Sequence, residues 1–389
     1  MIAASSEADA TVQPGGDQYI SAALGRYARA SPSSSAYNSA RITFWICIRV
    51  TTFNNDLAAA IETLLNPSNV DDYIRCVVEH VFDPDSLPPT SLLHPRFKED
   101  IPLVSDLAAF LWRQCFFYAL PRRKQKKLKD SMDADPSMSL EVWRIVKSAF
   151  MEYSMKNPSR SSEVGEVIAY VLVQHLLKAP QVAAKMALKT SANMPVHGLD
   201  GIHAAFDAGA MTIFFLEAKL SYAANAGAKA YAESAKEFLS DRKQYLREYE
   251  IVSDLGNLDA LSGDEREAAL EYFNIMDQPR LKRRERYVGV VCYSEKKNYA
   301  NKIPVGPGPI EKHEDHFADL LRSELERFRK AALKHLKANG ADPAKCFVFF
   351  LAVPDVNQLR RDFYAAMGLP PPADIPEDED AEIEEEENA

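Results

Sequence analysis

The chain has 389 residues, 47% of them hydrophobic, which suffices for a substantial core in one large or two smaller domains. It holds no run of about 18 apolar residues, and residues 1–16 lack the basic start and apolar stretch of a secretory signal, so neither a membrane span nor a secreted protein is expected. The net charge of −10 does not exclude a nucleic-acid partner, because Asp374 to Glu387 alone holds ten acids and no base.

Five scattered cysteines, Cys47, Cys76, Cys115, Cys292 and Cys346, support neither a disulfide framework nor a zinc knuckle and read as reduced thiols in a cytoplasmic protein. Residues 1–40, rich in Ala, Ser and Gly, read as a flexible leader. Residues 41–160 read as an N-terminal α/β region. In it Ile42 to Thr52 is β-rich, Asn55 to Leu65 and Val70 to Val81 have helical spacing, and Val104 to Leu120 is an apolar helix closed by Pro121. Lys124 to Met138 reads as a charged linker before a helix at Ser139 to Tyr153. Its cations, with Arg122 and Arg123, suit either a solvated surface or phosphate contacts, as do those of Lys282 to Arg284.

Residues 161–365 form the next expected domain. A helix starts near Ser161, with Ser162 as cap and acids in its first turn, and runs to Lys178; apolar nearly all round, it must be buried. Gly198 to Phe206 and Met211 to Leu220, joined through Asp207, Ala208 and Gly209, read as a β-hairpin. An Ala-rich helix over Tyr222 to Tyr249, strands at Tyr287 to Tyr293 and Phe347 to Val353, and a helix at Glu314 to Ala338 follow. That order predicts an α/β sandwich with a mixed sheet. Residues 366–389 form a Pro-rich acidic tail expected to be disordered.

The hairpin carries the chemistry. If Ala208-Gly209 is a two-residue loop, Asp207 pairs with Ala210, and counting outward sets Asp200 opposite Glu217. Directly opposed residues have Cβ atoms about 4.5–5.5 Å apart, within reach of one Mg²⁺. Period-2 alternation puts Lys219 beside Glu217 and turns Leu216, Ala218 and Leu220 inward. Two carboxylates and an ammonium at the end of a core strand suit metal-dependent phosphodiester hydrolysis; the bland alternative is a surface Glu-x-Lys pair.

His197 and His203 flank Asp200, but their spacing lacks zinc-site regularity, and alternation turns His203 away from Asp200. His313 and His316 read as a helix N-terminal surface cluster. Lys189 is a candidate backbone contact for DNA, and Lys185 reads as solvent-exposed. The Gly306-Pro-Gly-Pro segment is a turn, and without a Gly-rich phosphate loop the chain is not expected to hydrolyse ATP.

A helix glutamate at Glu166, then Asp200, then Glu217-Ala218-Lys219, resembles the PD-(D/E)xK nuclease superfamily. The longer string from Gly165 to His203, followed by FFLEAKL, resembles the HamA family, the nuclease subunit of the Hachiman anti-phage defence system. The resemblance implies a restriction-endonuclease-like core and catalysis by Glu166, Asp200, Glu217 and Lys219. It further implies Mg²⁺ or Mn²⁺ bound by Asp200, Glu217 and the Ala218 carbonyl, with Glu166 or Glu163 completing the shell. DNA is the implied substrate and a HamB-like helicase the implied gating partner. Two other classes stay open: a catalytically silent DNA-binding or assembly subunit of the same fold, and a stand-alone restriction endonuclease.

Overall fold

A computed structural model of the chain describes residues 56–66, 68–79, 85–156, 163–186, 198–207, 210–274, 283–303 and 312–375, all within a compact unit spanning Asn55–Ala389. The leader, the β-rich run at Ile42, the Ser162 cap, the Gly306 turn and most of the acidic tail lie outside the described residues.

Its elements in chain order begin with β1 (Ile74–Val78), β2 (Thr90–Pro95) and a small hairpin of β3 (Phe97–Lys98) and β4 (Ile101–Pro102). Four helices follow: α1 (Val104–Ala119), α2 (Arg122–Ala134), α3 (Met138–Lys156) and α4 (Glu163–Leu176). Then come β5 (Gln181–Ala183), β6 (Gly201–Asp207), β7 (Ala210–Ser221), α5 (Ala224–Ser240), α6 (Arg242–Leu255) and α7 (Gly263–Glu271). The chain closes with β8 (Arg283–Ser294), α8 (His313–Ser323), α9 (Leu325–Ala338), β9 (Cys346–Val353) and α10 (Val356–Ala366).

Seven strands make one sheet in the order β1-β2-β9-β8-β7-β6-β5. The four from β2 to β7 run parallel, while β1, β6 and β5 pair antiparallel with their neighbours. This mixed sheet flanked by helices is the α/β architecture expected from the sequence. β1 and β2, from the N-terminal region, hydrogen-bond into the same sheet as the later strands.

The central strands are continuous apolar runs because both of their faces are covered. Phe214 and Leu216 of β7, Val288 and Val290 of β8, and Phe349 and Leu351 of β9 pack in one core with α1, α3, α4 and α10. Ile213, Phe215, Val291, Val348 and Phe350 pack in the other with α5, α6, α8 and α9. Each buried Phe or Leu contributes about 1.5–3 kcal/mol.

Several local expectations are corrected. Ile74–Val78 is a strand rather than part of a helix: its β-branched residues pair with β2, and only Val70–Asp72 turns helically. The expected linker is the helix α2, since Arg, Lys and Gln are good helix formers and Gln125 is buried with its amide donating to the Leu120 carbonyl. The long Ala-rich helix divides at Asp241, whose carboxylate accepts from the amides of Lys243 and Gln244 and caps α6. The helix expected over Glu314 to Ala338 likewise divides at Glu324 into α8 and α9.

Candidate active site

The hairpin supplies a fork in the sheet. β6 begins at Gly201 opposite Leu216, whereas β7 continues to Ser221 paired with β8. Asp200 stands at the mouth of the gap. Its amide donates to the Leu216 carbonyl at 2.8 Å, and its Oδ2 accepts from the Ala218 amide at 2.8 Å. The Asp207 to Ala210 pairing continues without a shift to Gly201 and Leu216, so Asp200 comes opposite Glu217. Lys219 Nζ lies 2.7 Å from Glu217 Oε1, and the two side chains retain 24% and 13% of their exposure. Asp200, Glu217 and Lys219 thus lie within two register positions of one another at the notch where β6 begins, and the ion pair among them is partly exposed.

The helix α4 closes the notch on the Ala218 face. Gly165 permits the approach: a Cβ there would lie 3.2 Å from Leu220 and 3.6 Å from Ala218. Every residue of α4 from Glu163 to Gln174 is buried, as its all-round apolar pattern predicts, but the two glutamates go with it. Glu166 accepts a hydrogen bond from the Tyr118 hydroxyl, near the end of α1. Burial pushes that hydroxyl well above the ordinary tyrosine range; Glu166 pushes it further, and Asp200 adds a smaller push. Tyr118 therefore stays a neutral donor between the helix acid and the strand acid. Glu163 points elsewhere, accepting from the Tyr364 hydroxyl of α10 at 2.9 Å.

On the Glu217 face the wall is α5. The Tyr231 ring lies over Gly289, the register partner of Glu217, so closely that a Cβ at Gly289 would come within 2.6 Å of the ring. The Tyr231 hydroxyl donates to the Tyr287 carbonyl at 2.9 Å, which fixes the ring in place.

Oxygen is the only donor type that the acids of this notch offer, which suits a hard divalent cation. Among the described residues no three His, Cys, Asp or Glu side chains gather as a cation cage. Asp200 and Glu217 alone are adjacent by register, and that number fits Mg²⁺, which is commonly held by one or two carboxylates and keeps waters elsewhere.

The sequence matches the HamA family over residues 71–367. The chain belongs to the HamA family. It is thereby a component of Hachiman defence. No curated protein matches the sequence. The family segment starts before β1, ends after α10, and includes Glu166, Asp200, Glu217 and Lys219, so the whole sheet belongs to the HamA core.

His203 is fully buried opposite Phe214, on the other side of the strand from the Asp200 parity, and donates from Nδ1 to the Ala179 carbonyl at 2.8 Å. Burial holds its pKa down at about 4, so it is a neutral core histidine. His313 and His316 open α8. His197 and Lys189 lie outside the described residues. The expectation for Lys185 is overturned: it is sealed in the interior, donating to Glu248 Oε1 at 2.7 Å and to the Leu199 carbonyl. Its partner comes from α6, 63 residues later, and no local pattern announces such a pair. Tyr118 was equally hidden, 48 residues from Glu166 in a run of aromatics that reads simply as core.

Proposed function

We propose that this chain is a Mg²⁺- or Mn²⁺-dependent nuclease that cleaves DNA as the cytoplasmic effector of a Hachiman complex. The observation that carries the reading is the fork: Asp200 opposite Glu217, with Lys219 against Glu217 and Glu166 on the helix that closes the gap. Asp200, Glu217 and the Ala218 carbonyl are the residues that would hold the cation, with Glu166 completing the acceptor set and Tyr118 orienting it. A bound divalent cation would supply Lewis-acid stabilisation of the charge that builds on the phosphoryl oxygens. Lys219, kept in place by Glu217, orients the attacking water and helps remove its proton.

Nucleic acid as substrate is supported by α2, which carries Arg122, Arg123, Lys124, Lys126, Lys127 and Lys129 before its first acid. Four of them, Arg122, Arg123, Lys126 and Lys127, line a cleft of about 590 Å³ together with Asp130 and Asp259, and α2 starts directly beyond Tyr118 and Pro121. A HamB-like helicase partner would supply the ATP-driven movement and restrain cleavage, because the sequence carries no Gly-rich phosphate loop and the described residues show no base-reading element. No described helix is long and apolar enough to cross a membrane.

The second reading, a catalytically silent subunit that binds DNA or assembles the complex, is favoured by the lack of a three-ligand cage among the described residues. Plasmid DNA incubated with the protein and its neighbouring helicase, with Mg²⁺, Mn²⁺ or EDTA, separates the two. The nuclease reading expects cleavage that EDTA stops, that added Mg²⁺ restores, and that Asp200→Asn lacks. DNA binding with no cleavage under any of these conditions establishes the silent subunit instead.

A further inference from the structure

We propose that the sealed Lys185–Glu248 ion pair is a positioning device that sets Asp200 at the mouth of the notch. The inference rests on the reading of Asp200 as a cation-holding residue, and one arm of its test is independent of that reading. Lys185 retains 0% and Glu248 1% of side-chain exposure, with 2.7 Å between Nζ and Oε1. Desolvating two charges offsets most of their attraction, and apolar residues of similar volume often do as well or better, so stability alone does not account for the pair.

What the pair holds is one peptide group. The ammonium of Lys185 donates to the Leu199 carbonyl as well as to Glu248. On the other side of the same peptide, the Asp200 amide donates to the Leu216 carbonyl at 2.8 Å. A peptide unit is planar, so gripping its C=O and its N–H fixes the plane and with it the Cα of Asp200. The carboxylate that follows then reaches the Ala218 amide at 2.8 Å.

The residue before Leu199 carries the matching constraint. Gly198 has φ +135°, a region that residues with a Cβ rarely enter. A Cβ there would collide with Glu248 Oε1, come within 2.9 Å of Gln244 Nε2 and lie 3.4 Å from Lys185 Nζ. The backbone thus lies directly on the ion pair, and the three elements that meet there are the end of β5, α6 and the lead into β6.

The test reads the Ala218 amide, whose acceptor is Asp200, by native-state hydrogen exchange, together with Mn²⁺ binding by calorimetry. The double variant Lys185→Met/Glu248→Leu removes both charges without stranding either one. It is expected to fold, to leave the Val290 amide of β8 protected, and to speed Ala218 exchange by about tenfold, the equivalent of ~1.4 kcal/mol of local stability. Mn²⁺ affinity should fall by a similar factor of about ten. Gly198→Ala, which keeps both charges and displaces the backbone, should produce the same selective change at Ala218. If both variants retain wild-type exchange at Ala218, the pair is only packing and the proposal is overturned. If the wild type binds no Mn²⁺, the cation reading fails, and the Ala218 arm still decides the positioning role.

Discussion

Two lysine–glutamate pairs lie on either side of Asp200, and both have the same 2.7 Å contact. Lys219 and Glu217 retain 24% and 13% of their side-chain exposure, whereas Lys185 and Glu248 retain 0% and 1%. Distance therefore does not distinguish them; solvent does. The partly open pair keeps contact with solvent near the end of β7, where the proposed function sets a cation and a reacting phosphate. In the sealed pair each charge has little except the other and the Leu199 carbonyl, which makes it a fixed strut. The same Glu–Lys contact is thus partly solvated on β7 and sealed behind the lead into β6.

Breaking the open pair sharpens that contrast most. Glu217→Ala and Lys219→Ala should each lower DNA cleavage on the order of 10²–10⁴-fold. Unfolding free energy should move by about 1 kcal/mol, because solvent still reaches both charges and can hydrate whichever one is left. Kinetics beside urea titrations read both; wild-type cleavage in both variants would sink the site assignment.

The sealed pair should respond in the opposite sense. Glu248→Ala strands the Lys185 ammonium in the interior and should cost about 3–5 kcal/mol of stability. A loss below 1 kcal/mol in urea unfolding would mean that water reaches Lys185, and the contrast between the pairs would collapse.

How much of this was readable follows from where each constraint lies along the chain. The register that sets Asp200 opposite Glu217 was legible because only two residues separate Asp207 from its partner Ala210, and a side-chain period of 2 carries the count outward. Residues 70–81 were misread because Val70, Ile74, Val77 and Val81 also fit helical spacing, and only pairing with β2 makes a strand of Ile74–Val78. The break at Asp241 was missed because no Gly or Pro marks it, and a carboxylate that caps looks like any exposed acid until the chain bends. Lys185 and Tyr118 were invisible for a different reason: each takes its meaning from a partner on a distant element.

The two helix glutamates extend the comparison to α4, where both acids are buried but keep different company. Glu166→Gln weakens the acceptor that Tyr118 orients beside Asp200 and should reduce kcat/KM by about 10–100-fold. Glu163→Gln disturbs the link to Tyr364 and should show itself in stability, with cleavage close to wild type. Single-turnover rates for the two variants check the ranking, and the reverse order would transfer the catalytic role to Glu163.

The exposed cations of α2 give the mildest test, since they lie at the opposite extreme from Lys185. Arg123, Lys126 and Lys127 project into solvent, so replacing all three by Ser should leave the fold intact. If their role is to meet phosphates, DNA affinity measured in a Glu217→Ala background should show a shallower salt dependence. Counterion release makes the slope of log K against log salt shallower by about 0.9 for each phosphate that is no longer neutralised, so three such phosphates correspond to a change of about 2.7. The affinity gap from wild type should consequently be about 40-fold wider at 50 mM than at 200 mM salt and close as salt rises, because screening removes the contribution that the variant lacks. An unchanged slope would leave α2 as a solvated surface and move the DNA path to another part of the molecule, with the assignment at the fork untouched.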